Sequence, residues 1–457
     1  MPNIRLPIEV KFILDTLESY GHEAFVVGGC IRDCLMGKIP NDWDICTSAI
    51  PSEIVDIFSE HSIIQTGIRH GSVTLMINLQ MLATTHNGLE GRKKYDITTY
   101  RKESNYIDNR HPDSVEFIAE IKQDLARRDF TINALAFNPR TGIVDYFNGI
   151  LDIQKHIIKA IGNADERFTE DALRILRALR FASTLEFKID IDTDSAIFKN
   201  KNLLHNLSAE RVANELNKLL LGDGAGKVIN QYLFVIDEVL PDLVPIKRFS
   251  EKHFYNRTDI LSHTLNSLDF ASKNLIIRLV ILFHDSGIPF CHLKKNCTSH
   301  LNEHSKMSER IAFKTLSKLK YDTNTIKIVS ELILYHNVTI LPEKKDIKRW
   351  LSRLGEDKFR QLLEVKKAIS LTYSLFTQEN VVFLYETING LFIEILDQKL
   401  CFSLKDLAIN GKDLVSIGIP EGVEIGQILK QLLDKVIDDE IENNYDILIK
   451  AAQKHVF

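Results

Sequence analysis

The chain has 457 residues, 44% hydrophobic and 26% charged, with a net charge of −5 at pH 7. That length exceeds one ordinary core, so several domains are expected in a globular chain. No apolar run reaches membrane-spanning length and no signal pattern opens the chain, while the net negative charge excludes indiscriminate nucleic-acid binding: an RNA partner would need a local basic surface. Six cysteines (Cys30, Cys34, Cys46, Cys291, Cys297, Cys401) show no C-x-x-C spacing, which fits free thiols in a reducing cytoplasm.

In chain order, residues 1–23 carry Val10, Ile13, Leu14 and Leu17 at helical spacing and predict an amphipathic lead-in helix. Residues 24–27 read as a buried strand, followed by a Gly28-Gly29 turn, a short helix over 31–36 and a second strand carrying Asp42, Trp43 and Asp44. Up to about residue 140, VTLMINL (73–79) and YDITTYR (95–101) read as strands, with the polar THNGLEGRKK between them as a loop. RKESNYIDNRHPDSVEF (101–117) is polar and turn-rich, as expected of a mobile arm. LARRDFTINALAFN (125–138) places Arg127, Arg128 and Asp129 ahead of an apolar helix. From Ile150 onward strand signals fade and an almost wholly helical remainder is expected, punctuated by Pro241, Pro245, Pro289 and the glycines of LGDGAGK (221–227).

The chemistry concentrates early. Residues i and i+2 of a strand share a side, so Asp42 and Asp44 set two carboxylates together, with Trp43 and Ile45 opposite. Carboxylates that close do not both ionise cheaply without a cation between them, and an oxygen-rich site suits Mg²⁺. The glycines let backbone approach a ligand, and a helix starting there offers N–H groups to an anion. Asp96 is either a strand-initiating residue or a third carboxylate beside that pair. Asp129 is either a first-turn helix residue or part of a binding motif. RFTEDALRILRALRFA (167–182) predicts one amphipathic helix, with Leu173, Leu176 and Leu179 on one face and Arg174, Arg177 and Arg180 on the next. Asp171 and Arg174 are i,i+3 neighbours, which by itself reads as an intrahelical ion pair on a solvated basic face.

The combination strand–GG–x-x-R-D–loop–D-x-D, with Arg32 and Asp33 after the glycines, resembles the signature of polymerase-beta-type nucleotidyltransferases, in the branch of tRNA CCA-adding enzymes and bacterial poly(A) polymerases. The resemblance implies an α+β fold: a head with a small mixed sheet and helices (1–140), then an all-α neck (141–220), body (221–375) and tail (376–457). It implies catalysis by Asp42, Asp44 and Asp96, with Mg²⁺ on Asp42 and Asp44, and nucleotide binding by Gly28, Gly29, Arg32, Arg128, Asp129, Asp171, Arg174, Arg177 and Arg180. RRDFTINALA looks like the family motif that holds ribose and triphosphate, Arg128 on phosphate and Asp129 near the 2′-hydroxyl. E-D-x-x-R looks like a protein template: Asp171 accepts from the exocyclic amine of C or A, and Arg174 donates to ring acceptors. U and G present a carbonyl there, and two facing acceptors cost about 1–3 kcal/mol. By the same resemblance Arg177 and Arg180 suit the triphosphate. The pattern of Tyr106, Asp108, Arg110, Pro112 and Asp113 resembles the loop such enzymes need for the final A.

In the helical half, His263, His284-Asp285, His304 and His336 follow the order of an HD-type metal phosphohydrolase, a possible second metal site. The pattern departs at Ile288, where the family has Lys, at Asn337 after Tyr335-His336, and at Ile369, where the distal Asp is expected, which favours a structural relic. LKDLAINGKDLVSIGIPEGVEIGQILKQLLDKVID (404–438) reads as a helix pair with a glycine-bearing connector and resembles the family's tRNA-elbow-binding tail. The expected reaction is addition of CMP and AMP from CTP and ATP to the 3′ end of tRNA in the cytoplasm, with tRNA bound at acceptor stem and elbow and neither membrane nor DNA as partner. The alternatives are an A-only enzyme, a poly(A) polymerase and, from another class, an HD-type phosphohydrolase with an RNA-binding head.

Overall fold

The computed structural model describes residues 4–78, 92–106, 112–249, 260–292, 300–372 and 375–453. The chain forms two compact units: residues 1–224 with 231–239, and residues 225–230 with 240–457.

The first unit is built on nine named strands: β1 (Ala24–Val27), β2 (Asp44–Thr47), β3 (Ser62–Ile64), β4 (Ser72–Asn78), β5 (Arg92–Thr99), β6 (Arg101–Tyr106), β7 (Pro112–Phe117), β8 (Leu135–Asn138) and β9 (Gly142–Asp145). Seven of them form a mixed sheet in the order β3-β4-β5-β2-β1-β8-β9. β2 runs parallel to β5, and the other pairings are antiparallel. The four residues of β1 and the Ile45–Cys46–Thr47 stretch of β2 are buried, so both central strands are covered on two faces. The helix Ile8–Ser19 buries Val10, Ile13, Leu14 and Leu17, the apolar stripe its spacing predicts.

Several local expectations change. β2 begins at Asp44, paired with Val27, the last residue of β1; Asp42 and Trp43 precede the strand because β1 turns away at Gly28 and leaves them no partner. The helix after the glycines spans Gly29–Leu35 rather than 31–36. β5 starts at Arg92, so Asp96 sits mid-strand opposite Thr74, and the Arg92–Lys94 end of the presumed loop is strand; residues 79–91 lie outside the described residues. The arm is a two-stranded ribbon, β6 against β7, with Tyr106 in register with Pro112; Asp108 and Arg110 lie outside the described residues. LAFN of the supposed helix after Asp129 is β8, because β1 offers a free edge to it; only a single 3₁₀ turn, Thr131–Asn133, precedes it. Beyond Ile150 the first unit is helical except for a two-residue parallel pairing of Ile157–Ile158 with Lys188–Ile189.

The predicted helix over 167–182 is two helices, Ala164–Glu170 and Leu173–Leu185, broken at Asp171, whose backbone is extended (φ −139°, ψ 101°). The second packs on the helix Ala209–Leu220. At the end of that helix Gly222 approaches so closely that a Cβ there would lie 2.1 Å from Ser183 Oγ and 2.6 Å from Ser183 C. Ser183 Oγ donates to Leu219 O (2.7 Å) and Gly224 N–H donates to Ser183 O (3.0 Å), which locks the pair in one register.

Every named element among the described residues of the second unit is a helix. Leu275–Phe283 is buried along Ile277–Phe283 and serves as its central helix. The predicted tail pair is Gly411–Ser416 and Val423–Ile437, joined through Gly418 and Gly422, and it shares a core of Leu414, Ile428, Leu432 and Leu433 with Leu448 and Ala452 of a last helix, Tyr445–Gln453. No described helix is long and apolar enough to cross a membrane.

Candidate active site

Two cavities meet at Asp44. One, of about 1100 Å³, is lined by Asp42, Asp44, Asp96 and Thr74 together with Lys93 and Lys94. The other, of about 490 Å³, is lined by Gly28, Gly29 and Asp44 on the sheet side and by Asp171, Arg174, Arg177 and Arg180 on the helix side. Asp44 lines both, so the paired aspartates border the first cavity and the arginine-bearing helix borders the second, which adjoins it at that residue.

Parallel pairing of Ile45 with Ile97 puts Asp44 and Asp96 at matching positions on neighbouring strands. Thr74 Oγ1 donates to Asp96 Oδ1 (2.5 Å). Crowding by protein pushes the Asp44 carboxyl above its ordinary pKa; Asp96 and Asp42 add to the rise, and Arg128 opposes it. The carboxylates therefore repel one another, as a cation site does before its cation binds. Among the described residues, the three-ligand groups with all ligand atoms within 4.8 Å of one another are elsewhere, in the histidine cluster. The three aspartates line one cavity without closing that far.

The phosphate side is built on the Gly28 turn. Gly28 has φ +82°, and a Cβ there would lie 3.0 Å from Arg128 Nη1, so the glycine gives the guanidinium its place beside the backbone. Arg128 Nη2 donates to Asp124 Oδ2 (3.4 Å), while its Nε is buried without a hydrogen-bond partner among the described residues. Burial works against the Arg128 charge, but Asp124 above all, with Asp44 and Asp129, raises its pKa. Arg32 is held by Asp33 Oδ1 (Nε 2.9 Å, Nη2 2.7 Å) and by Asn133 Oδ1 (2.7 Å).

Asp129 is a buried junction rather than a helix-start residue. Its Oδ1 accepts from the Phe130 N–H (2.8 Å) and Asn133 Nδ2 (3.1 Å), and its Oδ2 from Arg177 Nε (2.8 Å). Burial alone would raise this carboxyl, but Arg177 and these hydrogen bonds hold it at about 2. Arg180 pairs with Glu215 Oε2 (3.1 Å) and lies 4.1 Å from the Phe181 ring centroid. Burial, then the charge of Arg177, lowers its pKa to about 10 against the pull of Glu215. A buried guanidinium so little compensated favours an incoming anion.

The expected Asp171–Arg174 ion pair is replaced by two others. Arg174 Nη1 donates to Glu170 Oε2 (2.9 Å) and Nη2 to Arg127 O (2.8 Å). Asp171, displaced by the helix break, accepts from the Leu173 N–H (3.1 Å) and from Arg211 Nη2 at both oxygens (3.1 and 3.0 Å). Sequence reasoning missed Asp124, Arg211 and Glu215. The available signal was spacing: Asp124 lies one turn before Arg127 and Arg128, and Arg211 and Glu215 are i,i+4 on one amphipathic helix. In all, the smaller cavity is lined by eight arginines against three aspartates, a focused positive site in a chain of net charge −5.

Residues 24–159 match the poly(A) polymerase head domain family, 186–232 the probable RNA and SrmB-binding site of polymerase A, and 296–452 a putative tRNA nucleotidyltransferase domain 2. The CCA-adding enzyme of Ligilactobacillus salivarius is 33% identical across 97% of this chain and 95% of its own, and that of Lactococcus lactis subsp. cremoris 32% identical across 98% and 96%. This chain belongs to the CCA-adding enzymes. Its fold is that of the Bacillus stearothermophilus CCA-adding enzyme in complex with CTP (TM-score 0.68, 26% identity, 99% of this chain and 98% of that one). The Thermotoga maritima CCA-adding enzyme complexed with tRNA shares the fold at TM-score 0.56 and 18% identity over 98% and 95% of the two chains.

This CCA-adding enzyme carries a second cluster, in its helical unit. His284 Nε2 lies 3.1 Å from Asp285 Oδ2, His304 Nε2 and His336 Nε2 lie 3.5 and 3.6 Å from Oδ1, and His263 Nε2 lies 3.9 Å from Oδ2. The Nδ1 atoms of His284 and His336 sit 2.7 Å from Ile281 O and Ile333 O, and that of His263 sits 2.8 Å from Thr372 Oγ1. Three Nε2 atoms are thereby turned toward one carboxylate. Burial would raise Asp285, but His284 first and then His336 hold it well below its usual range. Burial also lowers His263 to about 4, leaving it neutral, the form that ligates metal. Ile369, at the distal ligand position, is a buried residue of the helix Glu356–Ser370.

Proposed function

We propose that this enzyme restores CCA at the 3′ end of tRNA by adding CMP and AMP from CTP and ATP, and that its cavities divide the work at Asp44. What supports this reading is the pair of cavities that share Asp44: carboxylates line one, and a surplus of arginine, with Asp171 and Arg174, lines the other. Arg128, with its unpartnered buried Nε, and Arg180, with its depressed pKa, hold the triphosphate. Asp129 and the Gly28-Gly29 turn place the sugar and the α-phosphate. Asp171 and Arg174 read the base edge, the carboxylate rejecting the carbonyl of U and G. The 3′-hydroxyl of the tRNA gives its proton to solvent as its oxygen bonds to the α-phosphorus, and the bridging oxygen leaves with its electron pair as pyrophosphate.

Mg²⁺ fits Asp42, Asp44 and Asp96, whose mutual repulsion a hard cation relieves; when bound there it would lower the pKa of the attacking hydroxyl and offset charge on the leaving group. The head (1–140) serves catalysis, the neck (141–220) base selection, and the tail (376–457) holds the tRNA elbow through shape and phosphates, the head meeting the acceptor stem. The enzyme works in the cytoplasm. The deciding experiment offers tRNA lacking CCA, and separately tRNA ending in CC, with each nucleotide alone. CMP addition to the first and a single AMP addition to the second are expected; AMP addition to CC ends without CMP addition would mean an A-only enzyme, and long A tracts a poly(A) polymerase.

The convergence of four imidazoles on Asp285 supports a second reading, that this cluster takes one transition-metal ion. Without a carboxylate at Ile369 it would have one ligand fewer than an HD-type phosphohydrolase. Metal analysis of untagged protein should find about one ion per chain, lost in Asp285→Asn; absence of metal after incubation with Zn²⁺, Ni²⁺ or Mn²⁺ would leave the cluster a structural relic.

A further inference from the structure

Arg211 stands outside every motif read from the sequence, yet it is the cation that holds Asp171. It projects from the helix Ala209–Leu220, 40 residues from Asp171, and places one nitrogen, Nη2, 3.1 and 3.0 Å from the two carboxylate oxygens. Its other terminal nitrogen, Nη1, is buried with no hydrogen-bond partner among the described residues, and the residue lines the same cavity as Asp171 and Arg174. An Nη1 left in that state costs free energy unless a ligand acceptor completes it. One turn further along the helix, Glu215 pairs with Arg180. The helix is pinned against the Leu173–Leu185 helix by the contact of Gly222 with Ser183.

From this arrangement we propose that Arg211 is a specificity-determining positioning residue: it fixes the orientation of the Asp171 carboxylate, and so sets the choice of C and A over U and G. The inference rests on the reading of Asp171 as acceptor of the exocyclic amine. Asp171 lies between two helices, in extended backbone, and its main chain is fixed by its N–H on Arg167 O (3.3 Å) and by the Arg174 N–H on its own carbonyl (3.0 Å). The Leu173 N–H holds one carboxylate oxygen, and among the described residues only Arg211 spans both. Without Arg211 the carboxylate is free to turn toward Arg174 and Arg167, which already meet at Glu170. An acceptor turned away no longer opposes the carbonyl of U. The prediction is therefore a loss of discrimination ahead of a loss of rate.

The test measures kcat and KM for CTP and UTP on tRNA lacking CCA, and for ATP and GTP on tRNA ending in CC, in wild type, Arg211→Ala, Arg211→Lys, Asp171→Ala and the double variant. Arg211→Ala should lower the CTP/UTP and ATP/GTP ratios of kcat/KM at least 10-fold. Arg211→Lys, which keeps the charge without the planar fork, should recover part of that loss. The double variant should be no less selective than Asp171→Ala, because both residues act through one carboxylate. If Arg211→Ala keeps wild-type ratios while Asp171→Ala loses them, the proposal fails and the base-reading role of Asp171 stands. If Asp171→Ala also keeps them, that role itself fails. A uniform drop in kcat for all four nucleotides at unchanged ratios would show a merely structural role for Arg211, and circular dichroism with thermal melting separates it from unfolding.

Discussion

Arg177 of the Leu173–Leu185 helix places its Nε 2.8 Å from Asp129 Oδ2, joining two residues 48 apart in the chain. Asp129 is buried and its pKa is held at about 2, so it ties the arginine-bearing helix to the head sheet through a charge that must stay ionised. The folded-state pKa lies below the unfolded value of about 3.9, so the contribution is complete above pH of about 4 and is lost as pH falls through about 2. Its size at pH 7 is about 2–3 kcal/mol. Urea unfolding of wild type and Asp129→Asn should show a gap of that order at pH 7, narrowing steadily below pH of about 4. Arg177→Met, which leaves the carboxylate buried without its cation, should cost about 3 kcal/mol, the low end for a broken buried pair because Arg177 is partly exposed.

At Asp44 the sign is opposite. Protein crowding, Asp96 and Asp42 all disfavour its charge, so its ionised form costs stability. Asp44→Asn, and likewise the double variant with Asp42→Asn, should melt at or slightly above the wild-type temperature in metal-free buffer while nucleotide incorporation falls by about 10³-fold or more. MgCl₂ should raise the melting temperature of wild type and leave that of Asp44→Asn nearly unmoved. Retained incorporation in the double variant would overturn the catalytic assignment.

Gly28→Ala combines two penalties. The new Cβ would meet Arg128 Nη1 at 3.0 Å, in a backbone conformation (φ +82°, ψ −135°) close to the region that is essentially glycine's alone and costs another residue about 1–3 kcal/mol. The guanidinium can move aside, so folding should survive. KM for CTP and ATP should rise about tenfold, read by steady-state incorporation, because the displaced group is the one assigned to phosphate.

Gly222→Ala has no flexible neighbour to move. Its Cβ would fall 2.6 Å from Ser183 C and 2.7 Å from Ser183 O, both backbone atoms. The two helices must separate, at a cost of about 1–3 kcal/mol by urea unfolding. Because Arg211 reaches Asp171 across that packing, the variant should also lose CTP/UTP selectivity, although Gly222 does not line the cavity.

The Gly28-Gly29 turn and a strand entered at Asp44 are legible in the sequence by itself, because a turn and a strand edge are encoded by immediate neighbours; that Asp42 falls ahead of the strand and that Asp129 is a buried junction to Arg177 are not. The helical second unit and the Val10–Leu17 stripe are legible for the same reason, since periodicity reports which face is buried. Chain partners were not legible. LAFN is a strand because β1 has an edge to fill, and a helix was an equally good local reading. Asp171 and Arg174 are correctly spaced to pair with each other, yet a break between helices gives one to Arg211 and the other to Glu170. A long charged side chain has several partners within reach, each worth little more than the next, so small differences in helix packing decide among them. Here the packing of the two helices is set by the contact between Gly222 and Ser183, residues without charge, one just past the end of its helix and the other within the neighbouring one, which only the folded chain brings together.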